Sequence, residues 1–156
     1  MGMAVVVCTD GSDLATKAAT MGLSLLQQAD TVLVVTVADT VDPTLADDAS
    51  GHAGPSMTHE EVEAQHHEAK AQGQALVELA ASVLRSSVGS STKVKTRVLD
   101  GRPGPALCDF ATEVGAHAVV VGSRGRGGIK RALLGSVSDY VVRNAPCSVV
   151  VTRTAT

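Results

Sequence analysis

Five short runs rich in β-branched residues recur along the chain with helix-patterned segments between them, and this alternation fixes the class of fold. The runs are AVVVCT at 4–9, TVLVVTVA at 31–38, KVKTRVL at 93–99, AVVVG at 118–122 and SVVVT at 148–152. Behind a candidate cap, Ser12, the residues Leu14, Ala18, Met21 and Leu25 follow helical spacing. Val62, Ala69, Leu76, Leu79 and Val83 form a second stripe in 58–87, where Gly73 costs about 1 kcal/mol of helix propensity. Leu107, Phe110, Ala111 and Val114 form a third, opened by Pro103 or Pro105 and closed by Gly115. Val137, Tyr140, Val141 and Asn144 form a fourth, ended by Pro146.

Strands that alternate with helices require right-handed crossovers, hence a parallel sheet covered on both faces: a doubly wound α/β domain. The first, second and fourth runs are apolar at their centres, as burial on both faces demands. In 93–98, by contrast, Lys93, Lys95 and Arg97 alternate with Val94, Thr96 and Val98, which puts the third strand at an edge. The order 3-2-1-4-5 meets these requirements, and its winding reverses between strands 1 and 4. Ligands in such sheets bind beyond the carboxyl ends of the strands at that reversal. Strand 5 then forms the other edge although it is apolar throughout, and such an edge invites pairing with a second copy of the chain.

Composition sets limits. The 156 residues suffice for one domain spanning 1–156 with a single core. Phe110 and Tyr140 are the only aromatic residues, too few for the stacking platforms of single-strand nucleic-acid binders. A net charge of −3 argues further against nucleic acid as a partner, because phosphate contacts need a basic face. Cys8, Cys108 and Cys147 share no metal-binding or redox spacing and are expected to be free thiols in a reducing compartment. No run approaches the roughly 20 apolar residues of a membrane span, and the opening MGMAVVVCTDGS lacks the basic region of a secretory leader. A cytoplasmic protein without membrane contact is the expectation.

Directly after the fourth strand comes GSRGRGGIKRALLGS, Gly122 to Ser136, with Arg124, Arg126, Lys130, Arg131 and no acid. Glycine permits close backbone approach, and successive amides at a helix start form an anion-binding nest reinforced by the helix dipole. The loop is neither a Walker A, since Lys130 follows Ile129 rather than glycine, nor a dinucleotide fingerprint. The connection 39–57 is long, polar and without periodicity, a candidate mobile flap, and from Asp39 to Ala69 there are eight acids and no Lys or Arg. His59, Glu63, His66 and His67 lie near one another in sequence, but position 63 breaks the H-E-x-x-H pattern, and a polar helix face is the simpler account.

The spacing Gly122-x2-Gly125-x9-Gly135-Ser136 resembles the nucleotide-binding signature of the universal stress protein family, in its ATP-binding subgroup. The likeness extends to VVVCTDGSDLATKAA, VLVVTVAD, DGRPGPALCDFATEVGAHAVVVGSRG and LLGSVSDYVVRNAPCSVVVTR. The chain departs from the family at His117, where an acid is common before the fourth strand, and across 39–57. The resemblance implies that Asp10 lies near the adenosine portion and that the backbone of Val37 meets adenine. It implies that Gly122 and Gly125 approach ribose and phosphates, and that Gly135, Ser136 and Val137 offer amides and a hydroxyl to the phosphate tail. From the residues alone, the lesser alternative for Asp10 is a simple cap of the first helix, and Arg124 and Arg126 are either phosphate neighbours or solvated charges. Magnesium would arrive with the triphosphate, bound mainly through its oxygens. The expected function is an ATP-binding stress-response regulator, a homodimer with an unidentified protein partner. Slow ATP hydrolysis and a nucleotide-free interaction module are the alternatives; no general base is evident, so efficient catalysis is not expected.

Overall fold

The computed structural model describes residues 2–26, 29–38, 58–123 and 134–153. The segment 39–57, Gly125 and the cations Arg124, Arg126, Lys130 and Arg131 lie outside the described residues. Strands and helices alternate as β1 (Ala4–Cys8), α1 (Asp13–Leu25), β2 (Thr31–Ala38), α2 (His59–Ser87), β3 (Lys93–Asp100), α3 (Pro103–Glu113), β4 (Ala118–Gly122), α4 (Ser136–Asn144) and β5 (Ser148–Thr152). The sheet is parallel, in the order β3-β2-β1-β4-β5, as the sequence pattern predicts.

Each central strand sends alternate side chains to opposite faces. Val5, Val7, Val32, Val34 and Val120 pack under α1 and α2 with Leu23, Val77 and Leu84. Val6, Val35, Val119 and Val121 pack under α3 and α4 with Leu107, Phe110 and Val141. At the amino end of the sheet His117 Nδ1 takes a hydrogen bond from the Ala4 amide at 3.3 Å.

The helix faces of α1 and α2 match expectation only in part: Ala18 is buried and Val62, Ala69 and Leu76 are half-buried as expected, but elsewhere the buried face is shifted by one residue. In α1 the buried positions are Ala15, Ala18, Ala19, Gly22 and Leu23, whereas Leu14, Met21 and Leu25 are exposed. In α2 they are Gly73, Val77, Ala80, Ala81 and Leu84, and Leu79 and Val83 are exposed. The reason is the distance between helix and sheet. A Cβ built at Gly22 would stand 2.4 Å from Val120 Cγ1, and one at Gly73 would stand 3.0 Å from Val98 Cγ1. The small residues face the sheet so that the helices can approach it. The propensity cost of Gly73 is therefore offset by packing that a larger side chain would prevent.

With 29 residues α2 is about 43 Å long, against about 26 Å for the eight-residue strands beneath it. None of residues 59–72 is buried. This half of the helix begins with a capping box between Thr58 and Glu61 and is fastened to the end of β3 by Asp100. The Asp100 carboxylate meets Lys70 Nζ at 3.0 Å and His66 Nε2 at 3.0 Å. The Lys70 hydrogen bond, aided by His66, holds this carboxyl below its ordinary range. Asp100→Asn should accordingly speed amide exchange in residues 59–72 and leave residues 77–84 protected; equal protection in both proteins would show that the cluster does not anchor the helix.

Candidate functional site

The carboxyl ends of β2, β1 and β4 lie side by side. Val35 pairs with Cys8 and Val7 with Val120, so Val37, Asp10 and the residue after Gly122 stand at similar heights on adjacent strands. Neighbouring strands are about 4.8 Å apart, which brings these positions onto one rim at the winding reversal.

Past β1 the chain turns sharply. The Thr9 amide still donates to Val35 O at 2.9 Å, and the Gly11 amide then donates to Thr9 Oγ1 at 3.0 Å. Asp10 Oδ1 accepts from the Ser12 amide at 2.9 Å and from the Ser12 hydroxyl at 2.6 Å. Ser12 is the N-cap of α1, and its oxygen accepts from the Ala15 amide at 3.1 Å. Asp10 thus braces the cap rather than serving as the cap itself. Its Oδ2 has no hydrogen-bond partner among the described residues and is free for a donor outside the turn. Gly11 carries φ +79°, a conformation that favours glycine, and a Cβ there would also displace the Leu76 side chain of α2.

Cys8 stands just before this turn. Burial, with a smaller push from the Asp10 charge, raises its thiol to about 12.

Val37 pairs with Leu99 and is half-buried against the α3 side of the sheet. Gly122 is the last residue of β4 and pairs with Thr152. Gly135 is the N-cap of α4, and Ser136 and Val137 are its first two helical residues. The conformation of Gly135, φ −76° and ψ 165°, is ordinary extended backbone. What glycine contributes here is the absence of a side chain. Among the described residues no side chain caps α4, and the amides of Ser136 and Val137 have no acceptor. Three open features therefore share the rim: one carboxylate oxygen, a half-buried strand end and a helix start with unmet donors.

The ends of the glycine loop are joined by groups that sequence reasoning passed over. Ser123 donates its amide to Thr152 O at 2.8 Å and accepts from the Gly135 amide at 2.7 Å. The buried Ser138 hydroxyl reaches Ser123 O at 3.2 Å and Gly135 O at 3.0 Å. The histidines of α2 do not gather: His66 turns to Asp100, while His59 faces Glu63 at 3.7 Å. Among the described residues no three metal-ligating side chains converge, and no helix is long and apolar enough to cross a membrane.

Comparison with known proteins agrees with this fold. The model of the universal stress protein family matches residues 1–153, and the chain belongs to that family. It is 30% identical to the universal stress protein YxiE of Bacillus subtilis, over 96% of this chain and 97% of the relative. It is 29% identical to the universal stress protein MJ0531 of Methanocaldococcus jannaschii, over 96% of this chain and 81% of the relative. Against Rv2005c of Mycobacterium tuberculosis the alignment takes in 51% of this chain and only 27% of the relative. Among solved structures, the universal stress protein UspA from Lactobacillus plantarum superposes with a TM-score of 0.75 at 23% identity, covering 97% of each chain. A universal stress protein solved in complex with cAMP gives 0.57 at 25% identity and 99% of each chain. A family member from Arabidopsis thaliana with AMP bound gives 0.60 at 20% identity, over 98% of this chain and 92% of the other.

Proposed function

We propose that this universal stress protein binds an adenine nucleotide, with ATP as the physiological ligand, on the rim between β1 and β4, and acts as a regulator whose state reports nucleotide occupancy. The observation that carries the reading is the start of α4, with Gly135 as N-cap and the Ser136 and Val137 amides without an acceptor among the described residues, on the same rim as an Asp10 oxygen that likewise has no partner among them. An anion at that helix start would satisfy the open donors and interact favourably with the dipole. Asp10 Oδ2 is suited to accept from a ribose hydroxyl or an adenine amino group, and Val37 supplies apolar surface and strand-end backbone to the base. Gly122 and Gly125 would let the ligand come against the chain. Relatives of this fold solved with cAMP and AMP support an adenine nucleotide as the ligand class. Magnesium would bind chiefly through the phosphates of ATP.

The same geometry disfavours rapid hydrolysis. Asp10 is occupied on one oxygen by Ser12, and Asp139, in the first turn of α4, is paired with Arg143 at 3.0 Å. The open oxygen of Asp10 is assigned to the nucleoside, so neither carboxylate is set beside the phosphates as a general base. The three thiols are free, in keeping with a reducing, cytoplasmic setting. Nucleotide released by denaturing freshly purified protein, separated by chromatography, tests the reading. ATP is the expected product; ADP alone would instead favour a slow hydrolase, and no nucleotide together with no binding on titration would favour an interaction module.

A homodimer through β5 is part of this reading. β5 pairs only with β4 in the sheet, and Val149, Val150 and Val151 are half-buried. α1 runs over this edge, since Gly22 lies against Val120 and Thr152. Leu23 and Leu26 line a recess shared with Val88 of the α2 end, so the exposed Leu14, Met21 and Leu25 occupy the opposite flank, toward β5. An open strand edge with apolar neighbours suits a two-fold related copy. Val150→Lys should shift the protein toward monomer in light scattering, and a wild type that is monomeric at high micromolar concentration would end the dimer reading.

A further inference from the structure

We infer that Ser138 is the positioning residue of the phosphate side of the site: its hydroxyl clamps the start of α4 to the end of β4, and so aims the open amides of that helix at the rim. The inference rests on the nucleotide reading above and adds a residue that touches no ligand.

Ser138 is 2% exposed, one of few buried polar residues among those described. Its hydroxyl oxygen is within hydrogen-bond reach of two carbonyl oxygens, Ser123 O at 3.2 Å and Gly135 O at 3.0 Å, which share its one proton. Both are backbone atoms at the joints of the glycine loop, the first just after β4 and the second the N-cap of α4. Ser123 O also accepts from the Gly135 amide at 2.7 Å, and the Ser123 amide is held by Thr152 O at 2.8 Å. Gly135 O in turn accepts from the Asp139 amide at 2.9 Å, the first bond of the helix. The hydroxyl therefore ties together the last turn of the sheet and the first turn of the helix, with β5 behind them. The one O–H is shared between the two carbonyls in a place where water has little access.

The consequence is directional. The donors at the start of α4 bind phosphate, whereas Asp10 and Val37 sit on other strands and are not linked to Ser138 by any of these bonds. Angular freedom at the start of α4 should weaken recognition of the phosphate tail and leave the nucleoside portion alone. A pre-aimed donor pair loses affinity when it must be ordered on binding.

Ser138→Ala, which removes the oxygen and little else, tests this beside Ser138→Thr, which keeps it. Titration calorimetry of the full chain with magnesium ATP and separately with adenosine is the first measurement. The expected result is about tenfold weaker ATP binding in the alanine variant, adenosine affinity within about twofold of wild type, and recovery in the threonine variant. Equal losses for ATP and adenosine, or an ATP affinity unchanged by alanine, would overturn the inference. Amide exchange of Gly135 in the nucleotide-free protein is the second measurement, and it does not depend on the nucleotide reading. The alanine variant should exchange that amide faster while Val119 to Val121 remain protected; unchanged exchange would show that Ser138 clamps nothing. If wild type binds no ATP but the Gly135 amide loosens in the alanine variant, the nucleotide reading fails and the clamp stands.

Discussion

Replacing Gly135 by valine is expected to lower the affinity for ATP by more than about a hundredfold while leaving the fold in place. The backbone at this position, φ −76° and ψ 165°, lies in the region that β-branched residues favour, so valine can take it without strain. The loss of glycine from an N-cap costs helix α4 about 1 kcal/mol, which a packed domain tolerates. The branched side chain would, however, occupy the space in front of the Ser136 and Val137 amides, the donors left open at the rim. Each hydrogen bond to a charged group is worth about 1.5–3 kcal/mol, so blocking two removes more than a hundredfold in binding. Ser136→Ala, by comparison, removes only one hydroxyl and should cost roughly tenfold. Both variants should match the wild type in circular dichroism. Calorimetry with ATP and magnesium decides the matter: unchanged affinity in a folded Gly135→Val protein would mean that the start of α4 does not hold phosphate, and the nucleotide assignment would fall with it.

How far the sequence discloses this molecule depends on the range of the interaction concerned. Strand placement is legible because it is local: β-branched runs such as VLVV at 32–35 pack on both faces, and Lys93, Lys95 and Arg97 mark an edge by their own charge. The order of the sheet follows from those two facts and the handedness of crossovers. The burial faces of α1 and α2 are less legible. Periodicity identifies an apolar stripe at Leu14, Met21 and Leu25, yet the adjacent small residues lie inside, because the approach of helix to sheet is set by Val120 and Val98 from elsewhere in the chain. At the site, the bond from Ser12 to Asp10 spans two residues and is implicit in the sequence Asp-Gly-Ser. The clamp of Ser138 on Ser123 spans fifteen and carries no local pattern beyond a serine in the first turn of a helix. Topology brings Asp10, Val37, Gly122 and Gly135 to one rim, the place where a rule about strand ends puts a ligand, whereas the hydrogen bonds along that rim are not specified by the sequence.

The same closeness of helix and sheet predicts the largest stability effect. Gly22→Val should destabilise the protein by about 3 kcal/mol, the upper end for an overpacked core. The Cβ alone would stand 2.4 Å from Val120 Cγ1 and 3.2 Å from Thr152 Cγ2, before either γ-methyl is counted. Val120 cannot yield, because it is 1% exposed in the middle of β4 and packed among Val5, Val7 and Ala118. Relief must come from α1 moving outward, which would open the contacts of Ala15, Ala18 and Ala19 along its length. Helix propensity offers partial compensation, since valine is better than glycine in a helix interior by a few tenths of a kcal/mol, too little to offset the clash. In a chain of this size the loss corresponds to a melting point lower by about 6–12 °C. Gly89→Ala is the control, because the only neighbour of its new Cβ is Ser91 Oγ at 3.9 Å, and it should stay within about 0.5 kcal/mol of wild type. Thermal denaturation of the two variants separates the possibilities. If Gly22→Val melts with the control, α1 does not rest on β4 at the distance that the small residues imply, and the account of its shifted face is wrong.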